Sequence, residues 1–393
     1  MTTWSCVFAG VALALCIGCG KSEAEGEALP SGGKGAGGAS YEAGAGSAGD
    51  RGVEHAGGVT NAEGGTTWSG HGGLASAGGV GLGGAVSFGG APLVMDCEAA
   101  QVYRGQLDLD RPQQALDLPP ISEVDGNLYI IGQVAGLDRL ACLRRVTGSV
   151  TIQLNSALTS LRGLEKLDDV GGDFLIKELP ALRELSGLSG LRTVRGNLEI
   201  AANEELEQIH LPNLAEVSGS FDIHELSSLD RIELPALFGV SSLRIFATSV
   251  ATLSGFGKLE ELDTFAIGGT RLTNLESLSN LEVVHKDFMV TDTPQLESLG
   301  RLGLRDVGRL IIENNGALLD LGALPLEHVR QLSIVRNHSL RSLPTFEQLR
   351  MVHVADVSQN PGLPHCQAQA LVARAEDQSR SQAVDNLGSG PCN

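Results

Sequence analysis

Aromatic side chains are scarce: Phe, Tyr and Trp make up 4% of the 393 residues, with two Trp and three Tyr. Aliphatic residues must therefore supply whatever core the chain buries. Cations are scarce too. Lys and Arg number 28 against 47 Asp and Glu, a net charge of −19. So acidic a protein repels phosphate backbones, which argues against a nucleic-acid partner. Past residue 18 there is no apolar run long enough to cross a bilayer. No Gly-rich phosphate loop lies between a strand and a helix, and no serine sits in G-x-S-x-G. None of the nine histidines forms H-x-x-x-H or H-E-x-x-H, and His365-Cys366 alone is too little for a metal site. These absences lead us to expect no catalytic activity, no metal and no cofactor.

What the chain does have is a period. Residues 194–223 open with V-x-G-x-L-x-I (Val194, Gly196, Leu198, Ile200) and close on the same pattern (Val217, Gly219, Phe221, Ile223). Leu198 and Ile200 alternate with polar residues, as in a half-buried strand, and Asn203, Leu206 and Ile209 follow in steps of three. One such unit cannot bury its own apolar edge, so it requires neighbours of its kind. The second strand position recurs at Ile130, Ile152, Ile176, Ile200, Ile223, Ile245, Ile267, Val290, Ile312, Ile334 and Val357, every 22 to 24 residues. A weaker twelfth copy begins at 105–109. The expected fold is an all-β repeat solenoid of about 11–12 rungs.

The chain divides into three parts: 1–18, 19–95 and 96–393. The first carries a short apolar core, 7–15, leading into Cys16-Ile17-Gly18-Cys19. This resembles a bacterial lipoprotein signal, with the small Gly18 preceding a lipidated Cys19. An ordinary cleaved signal peptide is the alternative. The second part is Gly-rich, with 25 glycines in 20–95, and offers little to form a core. It reads as a disordered tether with an r.m.s. span of ~45–50 Å. The third part holds the repeats, with 40 acidic and 25 basic residues.

Cys6 and Cys16 belong to the signal and Cys19 to the lipid, which leaves Cys97, Cys142, Cys366 and Cys392. Four cysteines in an exported domain favour two disulfides over a metal. Cys366 and Cys392 flank the last rung, where 364–374 reads as a short helix, and a bond between them would staple a terminal cap. Cys97 then pairs with Cys142, about two turns away, if the N-terminal segment folds back.

The pattern L-x-x-V-x-G-x-L-x-I-x-x-N-x-x-L-x-x-L-x-x-L, clear in 191–209 and 146–164, is similar to the receptor L domain, a relative of the leucine-rich repeats. The resemblance covers 121–393, and the closing Asn360-Pro361, Cys366 and Cys392 look like the end of bacterial secreted versions. It implies a right-handed β-helix of the kind found in insulin- and growth-factor-type receptors, where it contributes to ligand binding. It implies no shared catalytic motif. Eleven copies exceed a usual single L domain, and no Cys-rich module divides them. The array is either one continuous solenoid, the reading we prefer, or two fused units with a break near Val250.

Asn155, Asn203, Asn315, Asn337 and Asn360, with Thr248, Thr270 and Thr293 in other rungs, all lie three residues after the inner strand position. Stacked at a bend, such side chains can satisfy inward-facing backbone groups. The residues between the two inner positions point outward. There Glu199, Asp222 and Arg244 follow on successive rungs, and Ala266, Met289 and Ile311 form an apolar run on a face that should be wet. The charged stack is either an ordinary surface ion pair or part of a binding face. The apolar run is either covered by a loop or a partner-binding patch. Glu199, Asp222, Arg244, Met289 and Ile311 are the candidate binding face.

Together these features suggest a monomeric, lipid-anchored recognition protein of the bacterial cell envelope, at the outer membrane, that binds a protein or glycan. A structural or adhesive envelope protein is one alternative, and a polysaccharide-acting β-helix enzyme is another.

Overall fold

The computed structural model describes residues 96–111 and 117–392; Cys19, the signal and the Gly-rich stretch lie outside them. The described chain is an all-β solenoid of about 12 turns, with parallel strands stacked rung on rung and one short helix near the C-terminus. The strand of each rung buries alternate residues. Leu198 and Ile200 are fully buried, whereas Glu199 between them is partly exposed. Leu198 lies beside Phe174 on one side and Phe221 on the other, and Ile200 lies beside Ile176 and Ile223.

This register runs from Leu107 beside Leu128, the weak twelfth copy, to Ile334 beside Val357. It continues through the degenerate middle, where Leu243 lies beside Phe265 and Ile245 beside Ile267. The repeats therefore form one continuous array rather than two units. A small second sheet, Gln208–His210, Arg231–Glu233 and Thr252–Ser254, lines the return path of three rungs.

Columns of like residues fill the core. Leu158, Leu182, Leu206, Leu229, Leu296, Leu318 and Leu340 are all fully buried. Each such side chain contributes about 1.5–3 kcal/mol of transfer free energy. Five of the few aromatic residues, Phe174, Phe221, Phe256, Phe265 and Phe288, are inside as well. The rings of Phe265 and Phe288 stack with centroids 5.0 Å apart.

Two bends shape each rung. The first is the V-x-G corner, where backbones approach closely. A Cβ on Gly196 would lie 2.7 Å from the Asp173 nitrogen and the Gly172 carbonyl carbon, so only glycine fits. The residue after the glycine then caps the next rung. The Asn197 N–H donates to Asp173 Oδ1 at 2.8 Å, and the Ser220 N–H donates to Asn197 Oδ1 at 2.9 Å.

The second bend follows the inner strand. One residue per rung takes a left-handed conformation there, and nine of these are not glycine, from Leu154 (φ 52°) to Gln359 (φ 59°). That conformation costs an ordinary residue roughly 1–2 kcal/mol. In five of the nine a buried Asn comes directly after it and ties the bend to the neighbouring rungs. Asn337 donates from its amide to the Ile312 carbonyl at 2.8 Å and accepts from the Asn315 N–H at 3.1 Å. Asn315, Asn337 and Asn360 repeat the pattern, and Asn386 beyond the last full rung extends it. In the middle the ladder lapses: the buried hydroxyls of Thr248 and Thr270 have no partner.

Both ends are closed. Cys97 is bonded to Cys142 and Cys366 to Cys392, with Cα atoms 5.3 and 5.6 Å apart. Helix α1 (His365–Val372) buries Ala368, Leu371 and Val372. The chain then returns along the free edge of the last strand, where the Gln382 N–H donates to the Ala355 carbonyl and the Val357 N–H to the Gln382 carbonyl, both at 2.9 Å. This irregular turn protects an edge that would otherwise invite pairing with another chain.

Two measurements follow. Asn337→Ala strands the Asn315 N–H and the Ile312 carbonyl, so chemical denaturation should show a loss of about 2–4 kcal/mol. A thiol reagent applied to residues 96–393 under denaturing, non-reducing conditions should label no cysteine.

Candidate functional site

The outward column of the strand face is in register. Glu199 lies beside Asp222, Asp222 beside Arg244, Arg244 beside Ala266, Ala266 beside Met289, and Met289 beside Ile311. The two carboxylates do not act as a pair. Arg244 holds Asp222 with two hydrogen bonds, Nη2 to Oδ2 at 2.9 Å among them, and the Ser220 hydroxyl donates to the same carboxylate at 2.7 Å. Glu199 turns instead to His224 Nε2 at 3.3 Å and Lys177 Nζ at 3.9 Å.

The apolar part needs one correction. Ala266 is only 4% exposed, not wet. Its methyl lies between the longer side chains of Arg244 and Met289 on neighbouring rungs, and at a rung spacing of ~4.8 Å they shade it. Met289 and Ile311 are half-buried. Phe246 stands in the adjoining outward column: its ring lies over Gly268, 3.0 Å from where a Cβ would be. The run ends at Ser333, whose hydroxyl donates to Glu313 Oε1 at 2.8 Å.

A second surface lies around the first bend of the last rungs and was not anticipated from the sequence. In most later rungs a single step, such as Val307-Gly308-Arg309, joins the bend to the strand. The rung Val283–Thr291 instead has two residues, His285 and Lys286, against the single Gly308 of the next. This β-bulge requires glycine beneath it, because a Cβ on Gly308 would lie 2.4 Å from both the His285 and Lys286 carbonyl oxygens.

Two depressions of about 450 and 290 Å³ lie over the bulge. They meet along the column of His285, Gly308 and Arg330. Lys286, Arg309, Arg330 and Arg380 line the larger with His285, His353 and Asp287; Asp306 and His328 line the smaller; and His285, His328 and His353 sit against Glu261, Asp306 and Glu376. Lys286 Nζ is 3.0 Å from Asp263 Oδ2 and holds that carboxyl below its usual range. Arg309 holds Asp287 with two hydrogen bonds, which raise the guanidinium above its usual value. The guanidinium of Arg330, exposed between the two depressions, has neither a hydrogen bond nor an ion pair among the described residues.

Among the described residues, no three His, Cys, Asp or Glu side chains are grouped to hold a metal ion, and no helix is long and apolar enough to cross a membrane. No family model matches the chain. The cell wall protein ecm33 of Schizosaccharomyces pombe is 22% identical over 143 residues, 36% of this chain and 34% of that protein. The chain thus spans about a third of the length of the curated relative it matches. The stacked rungs fit a receptor L domain-like repeat.

The geometry separates the two surfaces by stability. The partly exposed Asp222–Arg244 pair should be worth about 1 kcal/mol or less, so Asp222→Ala with Arg244→Ala should melt near wild type. Gly308→Ala forces a methyl against two backbone carbonyls and should lose about 1–3 kcal/mol in the same assay.

Proposed function

We propose that this protein is a non-catalytic recognition protein of the bacterial cell envelope that engages a protein or glycan through the outer strand face of its solenoid. The observation that carries this reading is the in-register face itself. Asp222–Arg244 is followed in the same column by half-buried Met289 and Ile311, with half-buried Phe246 in the adjoining column, on a surface held rigid by the rungs beneath. Monomers seldom leave such apolar surface without a use, and a repeat solenoid offers a long, preformed platform for it. In this reading Cys19 carries a lipid that holds the protein at the outer membrane, and the Gly-rich stretch sets the monomeric domain away from the surface. The name of the yeast relative favours a second reading, a structural or adhesive wall protein. Saturable binding to one partner supports recognition, and equal binding to many unrelated surfaces supports adhesion.

Two experiments test this. A pull-down from native membranes, followed by binding assays, should show at least a tenfold loss for Asp222→Ala with Arg244→Ala and for Met289→Glu, without loss of fold. Intact binding in both variants removes the strand face from the reading. Cys19→Ala should shift the protein from the membrane to the soluble fraction, and unchanged fractionation removes the anchor.

A further inference from the structure

We infer that the backbone edge of the first rung is a docking site for the chain's own residues 82–88, which lie outside the described residues and add to it as one more rung strand. Nothing in this rests on the strand face. The two ends of the stack differ. The edge of the last strand, Met351–Ser358, is covered by the closing turn. At the other end the Cys97–Cys142 bond ties the chain down but leaves the backbone edge without a neighbour. Among the described residues, Gln101–Arg104 pairs only with Ile121–Asp125, and Leu107–Leu109 only with Leu128–Ile131. In a parallel ladder successive residues turn their N–H and C=O groups to opposite neighbours. The Gly105 and Leu107 N–H groups donate to the Asp125 and Asn127 carbonyls of the second rung, at 2.9 and 2.8 Å. Those of Arg104 and Asp108 therefore face the open side, and Val102 on the same edge is 49% exposed. An edge of this kind is a template for another strand.

The period names the occupant. The first two rungs are spaced by 21 residues: Tyr103, Gly105, Leu107 and Leu109 recur as Val124, Gly126, Leu128 and Ile130. One more step of 21 back lands on Leu82, Gly84, Val86 and Phe88. L-G-G-A-V-S-F thus repeats the pattern of Y-R-G-Q-L-D-L and V-D-G-N-L-Y-I. Composition changes at the same place. Val, Leu, Ile, Met, Phe and Trp number four in 30–79 and seven in 80–95. Fourteen residues (89–102) separate Phe88 from Tyr103, as many as the fourteen (110–123) between Leu109 and Val124, so the return path of a parallel rung is long enough. In this register Val86 and Phe88 cover Leu107 and Leu109, Ser87 stands beside Asp108, and the Asp108 N–H donates to the Val86 carbonyl. A second copy or a foreign peptide must reach the edge from solution. The chain's own segment is tied to it through a short path, at an effective concentration in the millimolar range. The Gly-rich tether then ends near residue 81, and the added strand keeps the edge from pairing with other chains.

The test uses the full chain. Hydrogen exchange should find the Arg104 and Asp108 amides protected, and Val86→Asp with Phe88→Asp should speed their exchange at least tenfold. Val53→Asp with Val59→Asp, the same change earlier in the Gly-rich stretch, should alter it less than twofold. Melting curves check that the fold persists in both variants. A second route needs no disruption. Paired residues of a parallel ladder lie ~4.8 Å apart, within reach of a disulfide, so Ser87→Cys with Asp108→Cys should close a bond inside one chain on oxidation. Ser69→Cys with Asp108→Cys should close at least tenfold more slowly. The inference is overturned if the two aspartate variants exchange alike or the two cysteine pairs close alike. Amides left unprotected in the isolated chain would leave the edge to a foreign peptide, and a bond formed between two chains would give it to a second copy; either result overturns it as well.

Discussion

Every side chain in this solenoid must be compatible with its counterpart one strand spacing above and one below. That constraint selects what can stack on itself. Aliphatic residues can, and Leu158 through Leu340 do so in a dry column. Asparagine can as well, because its amide carries both a donor and an acceptor and so links one rung to the next. Threonine has a shorter reach, and Thr248 and Thr270 mark where the chain of links is interrupted. Glycine stacks where backbones nearly touch.

A lone charge cannot stack on itself, so the surface columns alternate in sign. Asp222 meets Arg244, Asp263 meets Lys286, Asp287 meets Arg309, and Asp306 meets His328. Most of the ion pairs are thus a consequence of stacking rather than a sign of function, which gives a cation without a partner, such as Arg330, its interest. The two surfaces differ in the same terms. On the strand face each charge is already matched within the array. Around the bulge Lys286 and Arg309 are matched in the same way, and the guanidinium of Arg330 is left without a partner.

This constraint also explains how much could be read in advance. The period, the inner strand positions and the buried Asn column were legible because each repeats a residue type at a fixed step. Ala266 was misread because exposure was inferred from alternation alone, without the size of its neighbours. The bulge left a weak trace, Val284 and Phe288 being four apart where Val307 and Leu310 are three apart. Asn386 lies 26 residues after Asn360, off the period, so the last link of the ladder was hidden. The depressions were hidden for a deeper reason: their lining residues occupy different columns and are neighbours only once the bend is formed.

The two disulfides, finally, bear on how the array would yield to force. A stack held by neighbour contacts ordinarily peels from its ends, where a rung has only one neighbour. Here covalent loops of 45 and 26 residues lock both ends, so peeling stops almost where it starts. A load applied between the N-terminus and a far rung would instead be carried inward, toward turns such as those of Thr248 and Thr270, whose buried hydroxyls link to nothing. Those turns act as a mechanical fuse, sited between the ends and clear of the rungs that carry the depressions.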